Sequence, residues 1–117
     1  MGLEYKIKPK TGAFSSSTTG RITATLRAST SFVREQAPGE LWLKDAGSST
    51  TWAYDVRVFV RPDELFVEVS SKTGAFVRDV AALWDELSAS APMRLEDGDD
   101  PDEILDPARV FRAPGQA

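Results

Sequence analysis

The chain has 117 residues, of which 41% are hydrophobic and 27% charged, a composition that suits one globular domain and is too short for two. It contains no Cys and no His, which excludes disulfide frameworks, thiol nucleophiles, zinc sites built on those residues, Ser-His-Asp triads and imidazole bases. The formal charge of −4 is unevenly spread: residues 1–34 carry six bases against Glu4 alone, 35–95 carry ten acids against six bases, and 96–117 carry seven acids against Arg109 and Arg112.

Leu3-Glu4-Tyr5-Lys6-Ile7-Lys8 alternates apolar and charged residues with period two, the signature of a half-buried strand, and ends at Pro9. Lys10 to Gly20 is dominated by Ser, Thr and Gly around Phe14, which predicts a flexible loop. Arg21 to Ser29 resumes alternation, with Ile22, Ala24, Leu26 and Ala28 on one side and Thr23, Thr25, Arg27 and Ser29 on the other, and reads as a second strand. Ala37-Pro38-Gly39 marks a turn into a short strand over 40–44, closed by the turn residues 45–49. Trp52 to Arg61 alternates again, with Trp52, Tyr54, Val56, Val58 and Val60 inward and Phe59 out of phase. Pro62-Asp63-Glu64 then turns the chain into a return strand over 65–70.

From Gly74 the period changes to three and four. Phe76, Val77, Val80, Ala81, Leu83, Trp84 and Leu87 form an apolar stripe about 100° wide, so a helix is expected over about 74–89, with Thr73 as its cap and Pro92 as its limit. Glu96 to Asp106 is an acidic run in which Asp100-Pro101-Asp102-Glu103 and Asp106-Pro107 carry helix-start signals, predicting short helical turns. The sum is an α+β domain: a mainly antiparallel sheet of about five strands in residues 1–95, one amphipathic helix on one face, and a C-terminal segment over 96–117 that folds back or reaches out.

Several groupings invite chemistry. The acidic run has the oxygen ligands calcium prefers but not the spacing of a calcium loop, since no Glu falls where one is needed after Gly98. Lys6, Lys8 and Lys10 with Arg21 and Arg27 would make a patch for polyanions. The acidic whole and the scarcity of interleaved aromatics disfavour nucleic acid. Lys-Thr-Gly-Ala-Phe occurs at 10–14 and 72–76 without the second glycine or the following Lys-Ser/Thr of a phosphate loop, and reads as a shared turn. Asp55, Glu68, Lys72 and Tyr54 are the candidates for a ligand-binding or hydrolytic site in a cup between sheet and helix. The simpler reading of Asp55 and Glu68 is cross-strand pairing with Arg57 and Arg61. No metal or cofactor is expected.

The aromatic residues are more informative. Trp84 and Trp52 fall on inward positions and are expected in the core. Trp42 points away from Leu41 and Leu43, and Phe59 and Phe66 are out of phase with the aliphatic residues of their strands. The opposite face of the sheet should therefore carry Trp42, Phe59 and Phe66 together, with Arg57 and Arg61 at the margin, covered either by residues 96–111 or by another protein. In the tail, Ile104, Ala108 and Phe111 recur at i, i+4 and i+7, a stripe that suits a groove on this domain or on a partner. The sequence thus favours a small non-enzymatic protein-binding module, the class to which small acidic inhibitors, immunity proteins and secretion adaptors belong, with Trp42, Phe59, Phe66, Arg57, Arg61, Ile104 and Phe111 as contacts; self-association stays open. The opening residues lack the basic and apolar regions of a signal peptide, and no apolar stretch nears the ~18 residues of a membrane helix, so a cytoplasmic protein without a membrane partner is expected.

Overall fold

A computed structural model describes residues 3–48, 51–100 and 102–112. Met1, Gly2, Ser49, Thr50, Pro101 and residues 113–117 lie outside the described residues, and with them parts of the expected 45–49 turn, the Asp100-Pro101 helix start and the end of the C-terminal segment.

The architecture is α+β. Six strands form one antiparallel sheet: β1 Leu3–Pro9, β2 Phe32–Ala37, β3 Glu40–Leu43, β4 Val56–Val60, β5 Leu65–Val69 and β6 Met93–Asp97, in the spatial order β2-β3-β4-β5-β1-β6. α1, Ser16–Arg27, carries the chain from β1 to the far edge of the sheet. A meander of β2 to β5 then brings it back to β1. A π-helical turn over Ala75–Val80 runs into α2, Ala81–Ser90, and returns the chain for β6 on the outer side of β1. The helix is therefore close to its expected place. Thr73 is no simple cap, however: its hydroxyl donates to Asp55 Oδ2 at 2.8 Å, and its carbonyl accepts the N–H groups of Phe76 and Val77.

The alternation read in β1, β3, β4 and β5 holds. Ile7, Leu41, Leu43, Val56, Val58, Leu65, Val67 and Leu95 are buried on one face against Ile22 and Leu26 of α1 and Phe76, Val80, Leu83 and Leu87 of the second helical stretch. Gly98 permits a close approach at the β6 end. A Cβ there would lie 2.6 Å from Glu4 Cβ, and its N–H donates to the Glu4 carbonyl at 2.8 Å.

Three expectations are corrected. First, residues 21–29 are not a strand, and 10–20 is not all loop: Ser15 caps α1 by accepting the Thr18 N–H at 3.1 Å, so the Ser/Thr-rich stretch is the first helical turn. Ile22 and Leu26 stand four apart as well as an even number apart, which satisfies either period, but only these two are buried, while Ala24 and Ala28 are exposed. Second, the sheet has six strands rather than five, because β2 and β6 lie at its edges with few buried positions to betray them, and β6 runs across the expected boundary at residue 95. Third, the strand expected from Trp52 begins only at Val56. Trp52 is 48% exposed rather than in the core.

The C-terminal segment closes the β6 edge. Leu105 N–H donates to the Leu95 carbonyl at 2.8 Å, and Glu96 bridges Ile104. The Asp106-Pro107 signal produces α3, Pro107–Val110, with the Asp106 carboxylate accepting the Ala108 N–H. Phe111 then packs on Phe76 and Trp84, ring centres 5.0 and 6.5 Å away, on the helix side of the sheet. Ile104 turns outward, 63% exposed, so the expected Ile104–Ala108–Phe111 stripe does not share one face.

The turn between α1 and β2 is fastened to the second helix through Asp79. Its carboxylate accepts from the buried Ser31 hydroxyl and from Arg78 Nε at 2.8 Å. Burial pushes this carboxyl up, but the bonds from Arg78 and Ser31 outweigh burial and hold it below the ordinary range.

Two predictions follow from this packing. Leu26→Ala should cost about 2–5 kcal/mol, whereas Ala24→Glu, on the wet side of α1, should change stability by less than about 0.5 kcal/mol. A strand would bury both, so comparable losses in urea unfolding would contradict the helix. Because the Asp79 carboxyl titrates below its unfolded value of about 3.9, its contribution is complete above that value and fades as pH falls through the folded value. The stability gap between wild type and Asp79→Asn should thus be constant from about pH 7 to pH 5 and close below about pH 4. Urea midpoints across that range measure it.

Candidate functional site

The residues that alternate with the core positions face away from both helices. Register brings them into one continuous field, pairing Arg34 with Trp42, Trp42 with Arg57, Arg57 with Glu68, Phe59 with Phe66, and Phe66 with Lys6 across neighbouring strands. Trp42, Phe59 and Phe66 thus lie together on the open face as the out-of-phase pattern requires. The described contacts of residues 103–112 lie at β6 and on the helix side, so this part of the tail does not cover them.

What covers these rings in part is arginine. The Arg34 guanidinium stands 4.7 Å above Trp42, Arg57 stands 4.9 Å from Tyr54 and 5.4 Å from Phe59, and Arg61 stands 5.7 and 5.3 Å from Phe59 and Phe66. Trp42 and Tyr54 are in contact at 5.0 Å between ring centres, and Phe59 meets Phe66 edge to face at 6.1 Å. Each guanidinium–ring contact is worth about 0.5–1 kcal/mol at an exposed site and leaves the edge of the cation free to donate. Tyr54, expected inward, belongs to this face, because the chain between β3 and β4 has left the sheet before Val56.

Carboxylates fix the arginines in turn. Glu40 accepts from Trp42 Nε1 at 2.8 Å and lies 3.7 Å from Arg57, and Glu68 accepts from Arg57 Nη2 at 2.6 Å. Burial pulls the Arg57 pKa down, but the hydrogen bond and charge of Glu68 together with the influence of Tyr54 and Glu40 outweigh it, and the guanidinium is held above its ordinary value. Glu64 pairs with Arg61 at 2.9 Å and approaches Lys6 and Lys8 at 3.8 and 4.0 Å; Glu96 pairs with Lys8 at 3.2 Å and Arg94 at 3.0 Å.

The other candidate groupings are not assembled. Asp55 is fully buried and does not pair across strands: its carboxylate accepts from Asp45 N–H at 2.9 Å, Ser48 Oγ at 2.9 Å and Thr73 Oγ1 at 2.8 Å, tying the β3–β4 connection to the entrance of the second helix. Glu68 and Tyr54 are on the open face. Lys72 is on the other side, with Nζ 3.1 Å from the Val110 carbonyl and near the rings of Tyr5 and Phe76, where burial lowers its pKa. Burial, seconded by Asp97, raises that of Tyr5. Of the proposed basic patch, Lys6 and Lys8 face the open side, whereas Arg21 and Arg27 project from α1 and pair with Glu86 and Glu35. Among the described residues no group of three or more His, Cys, Asp or Glu is placed to hold a metal ion, and no helix is long and apolar enough to cross a membrane.

Arg34, Glu64 and Glu96 are part of this face and escaped the sequence reading. Counting outward from the Pro38-Gly39 turn would place Glu35 opposite Trp42; a register shift between Glu35 and Ala37, which the sequence does not signal, puts Arg34 there instead. Comparison of the chain with protein-family models, with curated proteins and with solved structures finds no match.

Since the Asp55 carboxylate receives at least three donors in a buried setting, Asp55→Asn should lower stability by about 1.5–3 kcal/mol, because the neutral amide loses the charge on these bonds and replaces one of the two acceptor oxygens by a donor. A urea midpoint unchanged from wild type would show that the loops do not depend on this carboxylate.

Proposed function

We propose that this chain is a non-enzymatic protein-binding module, acting in the cytoplasm, that docks its partner on the open face of the sheet through Trp42, Phe59 and Phe66. The observation that supports the reading is a field of aromatic rings that neither the helices nor the described part of the tail covers and that arginines and carboxylates hold in fixed places. Interface anchors are characteristically Trp, Tyr and Arg in rigid settings, because such groups present a large contact area at small entropic cost. The field is spread over five neighbouring strands rather than gathered at one point, which suits another protein better than a small molecule. The dispersal of Asp55, Glu68, Lys72 and Tyr54 over separate regions weighs against hydrolysis. Ile104 is an outlying candidate contact, while Phe111 is engaged with the chain's own core.

The test is affinity capture from lysate of the source cells with the intact chain, Trp42→Ala and Phe66→Ala, each first checked for a native circular dichroism spectrum, followed by cross-linking of whatever is retained. The expected result is a partner whose retention falls at least about tenfold in both variants and whose cross-links map to β3, β4 and β5. Equal retention by the folded variants, or cross-links confined to α1 and α2, would reject the face.

A further inference from the structure

Resting on the docking reading, the layering of charge on the open face carries a further step, and we propose that the occupant is an acidic protein surface that sets carboxylates against the exposed bases and apolar side chains between them. Six bases lie on this face or its margin: Lys6, Lys8, Arg34, Arg57, Arg61 and Arg94. Counted as pairs they are nearly balanced by Glu40, Glu64, Glu68 and Glu96, but the two members of a pair do not lie at the same depth. The Glu96 side chain is 2% accessible beneath Lys8 at 31% and Arg94 at 36%, and Glu64 is 11% accessible beneath Arg61 at 49%. In none of the ion pairs on this face is the acid the more exposed partner. A visitor therefore meets guanidinium and ammonium groups first.

The buried acids set the geometry of the bases without using up their donors. A guanidinium has five N–H groups in a rigid fork; Arg61 directs one nitrogen to Glu64, and Arg34 has no acidic partner among the described residues. An incoming carboxylate finds these donors already immobilised, which removes part of the entropic cost of binding, while an incoming base meets like charge and must break an existing pair. The rings between the guanidinium groups offer apolar contact at Trp42, Phe59 and Phe66, so the fitting partner alternates acid with aliphatic or aromatic residues.

A phosphate polymer fits less well. Glu4, on the same face of β1, borders Asp97 and Asp99, so a uniformly charged strand running past the bases would reach like charge at the β6 side. The hydrogen bond to Asp99 already raises the Glu4 pKa, with burial and the charges of Asp99, Glu68 and Asp97 adding to it. The rings are also capped by arginine and so do not offer bare faces for stacking bases.

The full-length chain, isotopically labelled, is titrated by NMR with a synthetic peptide alternating glutamate and valine, with its lysine–valine counterpart, and with inorganic polyphosphate. The expected result is amide shifts at Arg34, Arg57, Arg61 and Phe66 with the glutamate peptide and none with the lysine peptide. Affinity should weaken about tenfold or more both in the Arg34→Glu/Arg61→Glu variant and on raising salt from about 0.05 to about 0.5 M. A native spectrum confirms that the variant, altered at two exposed positions, is folded. Absence of shifts, shifts mapped elsewhere, an equal response to the lysine peptide, or polyphosphate binding at these residues as tight as the glutamate peptide each overturns the proposal. Loss of captured partner in Trp42→Ala together with no response to the glutamate peptide would reject the acidic occupant while leaving the docking face itself intact.

Discussion

The organising constraint is that one sheet presents large side chains on both faces while its helices occupy only one. Strand geometry sends successive residues to opposite sides, so a sequence such as Val58-Phe59-Val60 cannot hide its ring with its aliphatic neighbours. On the helix side the solution is close packing of Ile7, Leu41, Val58 and Val67 under Leu26, Phe76 and Leu83. On the open side the described residues form no second layer, and the rings are stabilised by cations whose flat faces tolerate aromatic contact while their edges stay hydrated. That arrangement is rigid because each of Arg57 and Arg61 is held from two directions, by a ring above or below and by a carboxylate at its edge.

The chain path makes this possible. By carrying β2 to the far side through α1, the fold places the Arg34–Trp42 contact at one end of the field and the Lys8–Glu96 pair at the other, with β4 and β5 between. Two carboxylates, Asp55 buried and Asp79 half-buried, fasten the connections that the meander needs. Asp55 draws the β3–β4 loop onto the start of the second helix, and Asp79 draws the α1–β2 turn onto its middle. Neither is near the open face, so their role is to keep the helical layer in register with the sheet.

Much of this was legible in the residues, and the failures have definite causes. Period-two alternation located β1, β3, β4 and β5 because each buries apolar residues on one side only, and the change of period at Gly74 located the second helix. α1 was misread because Ile22 and Leu26 are compatible with both periods and because Ser15 and its neighbours look like loop until one asks which of them caps a helix. β2 and β6 were missed because edge strands bury little: β2 has no fully buried residue, and in β6 only Leu95 is an apolar residue that is fully buried. For the face itself, the out-of-phase Trp42, Phe59 and Phe66 were the signal. Depth was invisible, and nothing in a linear sequence distinguishes Glu96, sunk beneath Lys8 and Arg94, from its exposed acidic neighbours Asp99 and Asp100.

The proposed docking through side chains, rather than by strand addition, accords with the state of the two sheet edges. An unpaired edge is a template for another strand, and both edges here are modified against that use. At β6 the tail supplies Glu103, Ile104 and Leu105 as a short bridging segment, and the apolar residues Leu105, Val110 and Phe111 anchor it to the core. This fixes Asp97 and Asp99 beside Glu4, a concentration of like charge that repels an acidic visitor from the edge. At β2 two register shifts, between Phe32 and Arg34 and between Glu35 and Ala37, break the regular spacing of backbone groups, and Pro38 follows at once. With backbone pairing hindered at both ends, the proposed docking falls to the surface between them, where the donors belong to arginine and lysine and the contact area to aromatic rings.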